Sequence, residues 1–212
     1  MATIAELKEK FNKALLHVNR TGIDGLIYWL ENSTDFFSAP ASSRFHGNYQ
    51  GGLLEHSLHV LEFSLVHLNW MLKYKPELEE SRESLIIAAL FHDLCKINQY
   101  IWGDEQFTKI NDGTRDRWAK YQTYKFEDKF PMGHGEKSVY YISKHIVLTT
   151  SEVLAIRWHM GYSEPGTQFD GLTKYAYQTA SQDPLVKIIH AADVVSVLAA
   201  DTIDYKSNAK FV

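Results

Sequence analysis

Ionisable side chains interrupt the most apolar stretch of this 212-residue chain. Residues 84–94 are almost wholly apolar and predict a fully buried central helix, yet the stretch runs into Phe91-His92-Asp93-Leu94-Cys95-Lys96. Unpaired ionisable groups there would cost on the order of several kcal/mol each. One explanation is a metal ion, because neutral imidazole and carboxylate are natural metal ligands. The other is a helix end at the surface, where Lys96 interacts favourably with the helix dipole.

Four further polar residues lie in or beside segments with helical apolar spacing. His56 falls in the first turn of the helix predicted over 53–72, and His134 falls at a predicted helix start. His159 lies near the end of another helix, and Asp193 lies inside an apolar helix with no nearby cation. Each alone is more often a packed or capping residue. Together, they are better explained by one shared centre.

The apolar spacing predicts a mostly α fold. The predicted helices span residues 4–19, 26–30, 53–72, 84–94, 134–147, 150–160 and 184–201, with Asp183-Pro184 as a helix start. Residues 97–131 are rich in aromatics and lack helical spacing; a turn at 111–113 and a strand near 121–126 indicate a small irregular or β-hairpin insertion. No repeat or linker divides the chain, so we predict one domain over 1–212, with a core of about 46–200 and 97–131 as a lid-like insertion.

Charge, cysteine content and hydropathy exclude several classes of protein. Cys95 is the single cysteine, which excludes an internal disulfide framework and favours a reducing compartment. The formal net charge of −4 argues against a protein that coats long nucleic acid. No apolar run approaches the roughly 20 residues of a membrane span. We therefore predict a cytoplasmic protein with neither a membrane nor a long nucleic acid as partner; the oligomeric state is not predicted.

Three short motifs resemble the HD-domain superfamily of metal-dependent phosphohydrolases. They are GGLLEHSL at 51–58, FHDLCK at 91–96 and AAD at 191–193, and the resemblance covers roughly residues 46–200. The resemblance implies a compact helical bundle, the HD-domain fold, with metals at its centre. The extra histidines between Asp93 and the last Asp are similar to those of the two-metal members.

The resemblance also implies a ligand set. Its members are His56, His92, Asp93, His134, His159 and Asp193. The first ion would use His56, His92 and both aspartates, and Asp93 would bridge to a second ion bound by His134 and His159. Asp93 and Lys96 are the implied catalytic residues, with Lys96 on substrate phosphate. Two departures are Met160, where some relatives have a second histidine, and Cys95, where glycine is common.

Two divalent ions about 3.5–4 Å apart can share a hydroxide and neutralise phosphoester oxygens. The nitrogen and oxygen donors suit Mn, Fe, Co, Ni or Zn better than Mg. The implied activity is hydrolysis of a nucleotide or short phosphodiester through a metal-bridging hydroxide, with a small phosphorylated substrate as partner. Two alternatives stay open: an HD-type diiron oxygenase, and a non-catalytic nucleotide-binding HD module. The complete ligand set argues against the module.

Several residues near the motifs are candidates for substrate binding. They are Arg44, His46, Tyr49, His59 and Lys137. An exposed loop position or core packing explains each of them equally well. The aromatic residues between 100 and 126 could stack on a nucleobase, or form a small satellite core that holds the insertion in place.

Overall fold

Most of the apolar segments predicted as helices form the core of the structure, a computed structural model that describes residues 2–164 and 167–211. The helices in these ranges are α1 (Ile4–Leu15), α2 (Ile23–Ser33), α3 (Gly52–Met71), α4 (Arg82–Phe91), α5 (His134–Ser143), α6 (Thr150–Arg157), α7 (Gly171–Ala180) and α8 (Pro184–Ser196). The strands are β1 (Tyr100–Asn111), β2 (Asp116–Phe126) and β3 (Lys210–Phe211). The predicted fold class, mostly α with a small β insertion, is confirmed.

Helices α3, α4, α6 and α8 form the centre of the bundle. α3 packs against α4 and α8, and α6 packs against α4, α5 and α8. Every residue from Leu85 to Phe91 in α4 is buried, as its apolar sequence predicts. Residues 52–58 of α3 are also buried on all sides, so His56 points into protein and not into water.

Two glycines let α3 begin inside the protein. Gly51 has a φ of +84°, a left-handed conformation that glycine adopts without steric cost. A Cβ on Gly52 would collide with the backbone carbonyl of Gly47 in the preceding loop. The Gly-Gly pair of the first motif therefore allows this loop to cross the start of α3 closely.

Helices α4 and α6 end earlier than predicted. α4 ends at Phe91 instead of residue 94, and Leu94–Lys96 forms a 3₁₀ turn. α6 ends at Arg157 instead of residue 160. α7 was not predicted, because only Tyr177 and Ala180 in it are buried and its apolar periodicity is correspondingly weak. Asp183 caps α8 as predicted, since its side chain accepts a hydrogen bond from the Leu185 amide.

The insertion is a long antiparallel hairpin. β1 and β2 pair from Tyr100 opposite Phe126 to Asn111 opposite Asp116, with an irregularity at the left-handed Gly103. β3 adds a short third strand beside β2. The strand predicted near residues 121–126 covers only part of this hairpin. Both faces of the hairpin are largely exposed, so its sequence shows little alternation of apolar and polar residues. No helix in the described ranges is long and apolar enough to cross a membrane.

A buried ion pair joins three elements on the side of the bundle where α1 leads into α2. The guanidinium of Arg20 donates to both carboxylate oxygens of Glu152 in α6, at 2.7 and 3.0 Å. It also lies 3.4 Å from the Glu83 carboxylate in α4. The Glu152 side chain is fully buried; burial alone would raise its pKa, but the hydrogen bonds from Arg20 lower that pKa below its ordinary value.

We expect Arg20→Ala to lower the free energy of unfolding by about 3 kcal/mol, because it leaves a buried carboxylate unpaired. The pKa of Glu152 is depressed in the folded state. The decrease in the free energy of unfolding should therefore reach its full value at neutral pH and become smaller as the pH falls through that pKa. Urea unfolding at pH 7 and at acidic pH measures both effects. Arg82→Ala is the matched control, because Arg82 pairs with Glu79 at the surface and should contribute about 1 kcal/mol or less. Equal losses for the two variants would contradict this prediction.

Candidate metal centre

The structure brings all six ligand candidates together, most of them at helix ends. His56 lies in the first turn of α3, His92 and Asp93 follow α4, His134 begins α5, His159 lies two residues beyond α6, and Asp193 lies within α8. Five of these side chains are buried or nearly so, whereas the His134 side chain is 31% exposed. One edge of the group therefore reaches the protein surface.

Asp93 lies at the middle of the group, and each of its carboxylate oxygens faces two imidazoles. Oδ2 lies 3.4 Å from His56 Nε2 and 3.5 Å from His92 Nε2. Oδ1 lies 2.8 Å from His134 Nε2 and 3.5 Å from His159 Nε2. A carboxylate with a pair of nitrogen donors on each oxygen has the arrangement that a bridge between two cations needs.

Asp193 completes the first half of the group. Its Oδ1 lies 3.1 Å from His56 Nε2 and 3.8 Å from His92 Nε2. The two imidazole Nε2 atoms are themselves 3.2 Å apart. Two nitrogens and two carboxylates thus converge around one point.

Helix ends orient two of the histidine rings. The Nδ1 atom of His92 lies 2.9 Å from the Ala89 carbonyl oxygen, and Nδ1 of His159 lies 2.7 Å from the Ile156 carbonyl oxygen. Carbonyls in the last turn of a helix lack an intrahelical partner. Because a carbonyl only accepts, each Nδ1 carries the proton and each Nε2 presents its lone pair to the centre.

Ser196 orients the ring of His56. Its hydroxyl donates to the backbone carbonyl of Asp193 at 2.7 Å, and its oxygen lies 3.2 Å from Nδ1 of His56. The hydroxyl oxygen must therefore accept from the Nδ1–H, which leaves Nε2 free to bind a cation. We did not predict a role for Ser196, although its position three residues after Asp193 in an apolar helix was a usable signal.

The residues present fit divalent metal ions. Nε2 of His159 is buried and has no hydrogen-bond partner among the described residues, a state that would cost about 1–3 kcal/mol without a ligand. Three overlapping groups have ligand atoms within 4.8 Å of one another: His56 with His92 and Asp93, His92 with His159 and Asp193, and Asp93 with Cys95 and His134. Imidazole and carboxylate donors suit transition metals and zinc.

The ionisation states suit cation binding at the carboxylates and at His92. Burial acts to lower the pKa values of His56 and His159, but hydrogen bonds to Asp193 and Asp93 raise them, so a bound cation would compete with protons at these two rings. Burial lowers the pKa of His92 to about 3, so its ring is neutral. Burial acts to raise the pKa of Asp93, but the Lys96 ammonium, 2.6 Å from Oδ2, and the ring of His92 hold that pKa well below its ordinary value. Burial acts against the charged form of Lys96, and the Asp93 carboxylate raises its pKa above the usual range.

A cavity of about 450 Å³ opens beside His134. Lys96, Lys137 and Arg157 are its basic lining residues. Lys137 is buried and its Nζ lies 2.6 Å from an Asp128 carboxylate oxygen. Of the candidates for substrate binding, Lys137 is the one that lines this cavity.

His46 is also close to the centre. Its ring centroid lies 5.2 Å from that of His56. Burial and the positive charges of His56 and Lys96 lower the pKa of His46 to about 4, so the ring is neutral at physiological pH.

The other three candidates for substrate binding lie away from this cavity. The Tyr49 hydroxyl donates to the Glu55 carboxylate, and its side chain is buried. His59 is half-buried on α3, and Arg44 is exposed on the wall of a separate cavity of about 440 Å³. A role in substrate binding stays a prediction for all of them.

The aromatic residues of the hairpin are mostly exposed. The exposed members include Trp102, Phe107, Trp118 and Phe126. Tyr100 and Phe126 line the cavity beside His134, so two of these rings could contact a ligand there. The alternative to base stacking was a small satellite core that holds the insertion in place. The contacts of this kind include Trp102 against Tyr124 and against Tyr205.

The fold and the centre together define a helical protein with a four-histidine, two-aspartate donor set that could hold divalent metal. Residues 53–198 match the family model of the HD domain, which is more than half of the chain. The chain therefore belongs to the HD-domain family.

One relative shares part of the chain. An 83-residue stretch, 39% of this chain, is 35% identical to the dihydroneopterin 2',3'-cyclic phosphate phosphodiesterase of Methanocaldococcus jannaschii. The match covers 30% of the length of that protein. No solved structure matches the chain.

We expect Ser196→Ala to weaken metal affinity about 10- to 100-fold, because the ring of His56 loses the acceptor that orients it. Competition with a chromophoric chelator, for Zn²⁺ and Mn²⁺, measures the change. Ser64→Ala is the matched control: Ser64 is equally buried, on α3, and its hydroxyl has no hydrogen-bond partner among the described residues. Equal affinities in the two variants would show that Ser196 does not orient a ligand.

Proposed function

We propose that this chain is a metal-dependent phosphohydrolase that cleaves a phosphoester bond in a nucleotide or another short phosphodiester. The observation that carries the proposal is the Asp93 carboxylate, each oxygen of which faces two imidazole nitrogens at 2.8–3.5 Å. The name of the archaeal relative, a cyclic-phosphate phosphodiesterase, supports the same class of reaction.

Two ligand sets share Asp93. His56, His92 and Asp193 would complete the first, and His134 and His159 the second. Bound divalent ions would supply Lewis acidity toward phosphoester oxygens and lower the pKa of a water molecule that attacks phosphorus. The protein contributes neutral imidazoles, so that two cations and two carboxylates leave an excess of positive charge for an anionic substrate.

Lys96 extends this positive charge toward the cavity. Its Nζ lies 2.6 Å from Asp93 Oδ2, and its side chain lines the cavity beside His134. An ammonium in that position would contact a non-bridging phosphate oxygen and stabilise charge that develops during phosphoryl transfer. In this proposal, Asp93 and Lys96 are the catalytic residues.

The cavity supports a small substrate. Its volume of about 450 Å³ lies within the range of small-molecule sites, roughly 300–1,000 Å³. Lys137 and Arg157 add positive charge, and each is paired with a carboxylate that offsets it. A single domain with its core at about 46–200, the hairpin as a lid and a cytoplasmic location complete the proposal.

We expect hydrolysis of bis(p-nitrophenyl) phosphate and of 2',3'-cyclic nucleotides by protein loaded with Mn²⁺ or Zn²⁺, and none after chelation. Lys96→Ala should lower kcat/KM about 100-fold, as does removal of one transition-state donor. Metal content is measured in parallel, so that a lost ion is distinguished from a lost phosphate contact.

Lys129→Ala is the matched control, because Lys129 is 78% exposed and pairs only loosely with Glu127. Its kcat/KM should equal that of the parent protein. Full activity of Lys96→Ala, or turnover that consumes oxygen and yields no phosphate ester cleavage, would contradict the proposed function; the second result would favour the diiron oxygenase.

A further inference from the structure

Cys95 lies inside the second half of the metal centre. It is 2% exposed and sits in the 3₁₀ turn two residues after Asp93. Its backbone amide donates to the Ser138 hydroxyl of α5 at 3.0 Å, which fixes the turn against that helix. Its Sγ lies 3.3 Å from Nδ1 and 3.4 Å from Nε2 of His134, and 3.9 Å from Asp93 Oδ1.

A second and independent observation points to a ligand at Asp93 Oδ1. Nε2 of His159 is buried and has no hydrogen-bond partner among the described residues. It is directed at Asp93 Oδ1, 3.5 Å away, the same oxygen that His134 and Cys95 face. Asp93 Oδ1 therefore faces the imidazoles of His134 and His159, and the ligand atoms of Cys95, Asp93 and His134 lie within 4.8 Å of one another.

The distance between the Cys95 sulfur and the nearest metal-facing nitrogen of His134 is that of two ligands of one tetrahedral ion. Metal–sulfur and metal–nitrogen bonds of about 2.3 and 2.0 Å place neighbouring ligand atoms roughly 3.3–3.6 Å apart. The distance of 3.4 Å from Cys95 Sγ to His134 Nε2, the nitrogen that faces Asp93, falls in this range; the distances from Asp93 Oδ1 to Sγ and to Nε2, 3.9 and 2.8 Å, lie above and below it.

We propose that Cys95 binds the second metal ion as a thiolate, together with Asp93, His134 and His159. On binding, the S–H bond breaks, a sulfur–metal bond forms and the thiol proton passes to solvent; no electrons are transferred. A thiolate is a soft ligand, so this ion would be Zn²⁺, Co²⁺ or Fe²⁺ in preference to Mg²⁺ or Mn²⁺. The inference rests on the metal centre of the proposed function but goes beyond its histidine and aspartate ligands.

Titration of the metal-free protein with Co²⁺ tests the proposal. A thiolate bound to Co²⁺ gives an intense near-ultraviolet charge-transfer band that nitrogen and oxygen ligands do not give. Because Cys95 is the single cysteine of the chain, such a band identifies its ligand without further assignment. We expect the band to saturate at one thiolate-bound ion per chain. Protein that holds two Co²⁺ ions and shows no such band would overturn the proposal.

Two variants test whether the charge-transfer band arises from Cys95. Cys95→Ser should keep bound Co²⁺, as measured by elemental analysis, but lose the band and weaken Zn²⁺ binding more than Mn²⁺ binding. His67→Ala, a change at a half-buried histidine of α3 outside the centre, should keep the band and thus control for adventitious binding to surface histidines. A band that persists in Cys95→Ser would contradict thiolate coordination.

X-ray absorption of the zinc-loaded parent protein gives an answer that does not depend on how the variants fold. We expect a sulfur shell at about 2.3 Å, with one sulfur per chain and therefore about half a sulfur per zinc when two ions are bound. A shell of nitrogen and oxygen alone would overturn the proposal for Cys95 and leave the proposed hydrolase intact if metal-dependent turnover persists. Absence of bound zinc together with absence of turnover would overturn both.

Discussion

The structure depends on the neutralisation of one buried carboxylate. Asp93 is 2% exposed and yet ionised, because Lys96 lies 2.6 Å from Oδ2 and imidazoles surround both of its oxygens. A charged group in such surroundings costs several kcal/mol unless cations compensate it. This cost explains why the chain gathers residues from five helices and their ends at one point. Helix α4, in which every residue from Leu85 to Phe91 is buried, ends immediately before His92 and Asp93.

The ends of α4 and α6 both supply a histidine and orient its ring. Each exposes carbonyls that have lost their helical partners, and each places a histidine where Nδ1 meets one of them. The hydrogen bond satisfies the carbonyl, fixes the tautomer and turns Nε2 inward. His56 lies in the first turn of α3 instead, where no such carbonyl is available, and it uses the Ser196 hydroxyl of α8. The position of each histidine along its helix thus determines what orients it.

The sequence was sufficient for the fold class and for the six residues that gather at the centre, because polar residues in apolar helices are physically costly and therefore conspicuous. It could not show the partners that act across the fold. The Arg20–Glu152 pair spans 132 positions and has no local pattern. Ser196 looks like any small helical residue until His56 is placed beside it. Helix α7 and most of the hairpin bury too few side chains to leave a clear apolar period. Tyr49 and Arg44 were equivalent to His46 in the sequence. In the structure, however, Tyr49 donates to Glu55 and Arg44 lines a separate cavity, whereas the ring of His46 lies against that of His56.

Charge balance links the centre to the cavity beside it. With the imidazoles in the neutral form that binds metal, Asp93, Asp193 and Lys96 carry one net negative charge. Two divalent ions would reverse this sign and repel the Lys96 ammonium, which shares Oδ2 of Asp93 with the first ligand group. The direction open to that ammonium is the cavity that it already lines with His134 and Lys137. A phosphate in this cavity would lie between two sources of positive charge, the Lys96 ammonium and the bound metal ions. The lysine that stabilises the Asp93 carboxylate thus also lines the cavity in which we propose that the substrate phosphate binds.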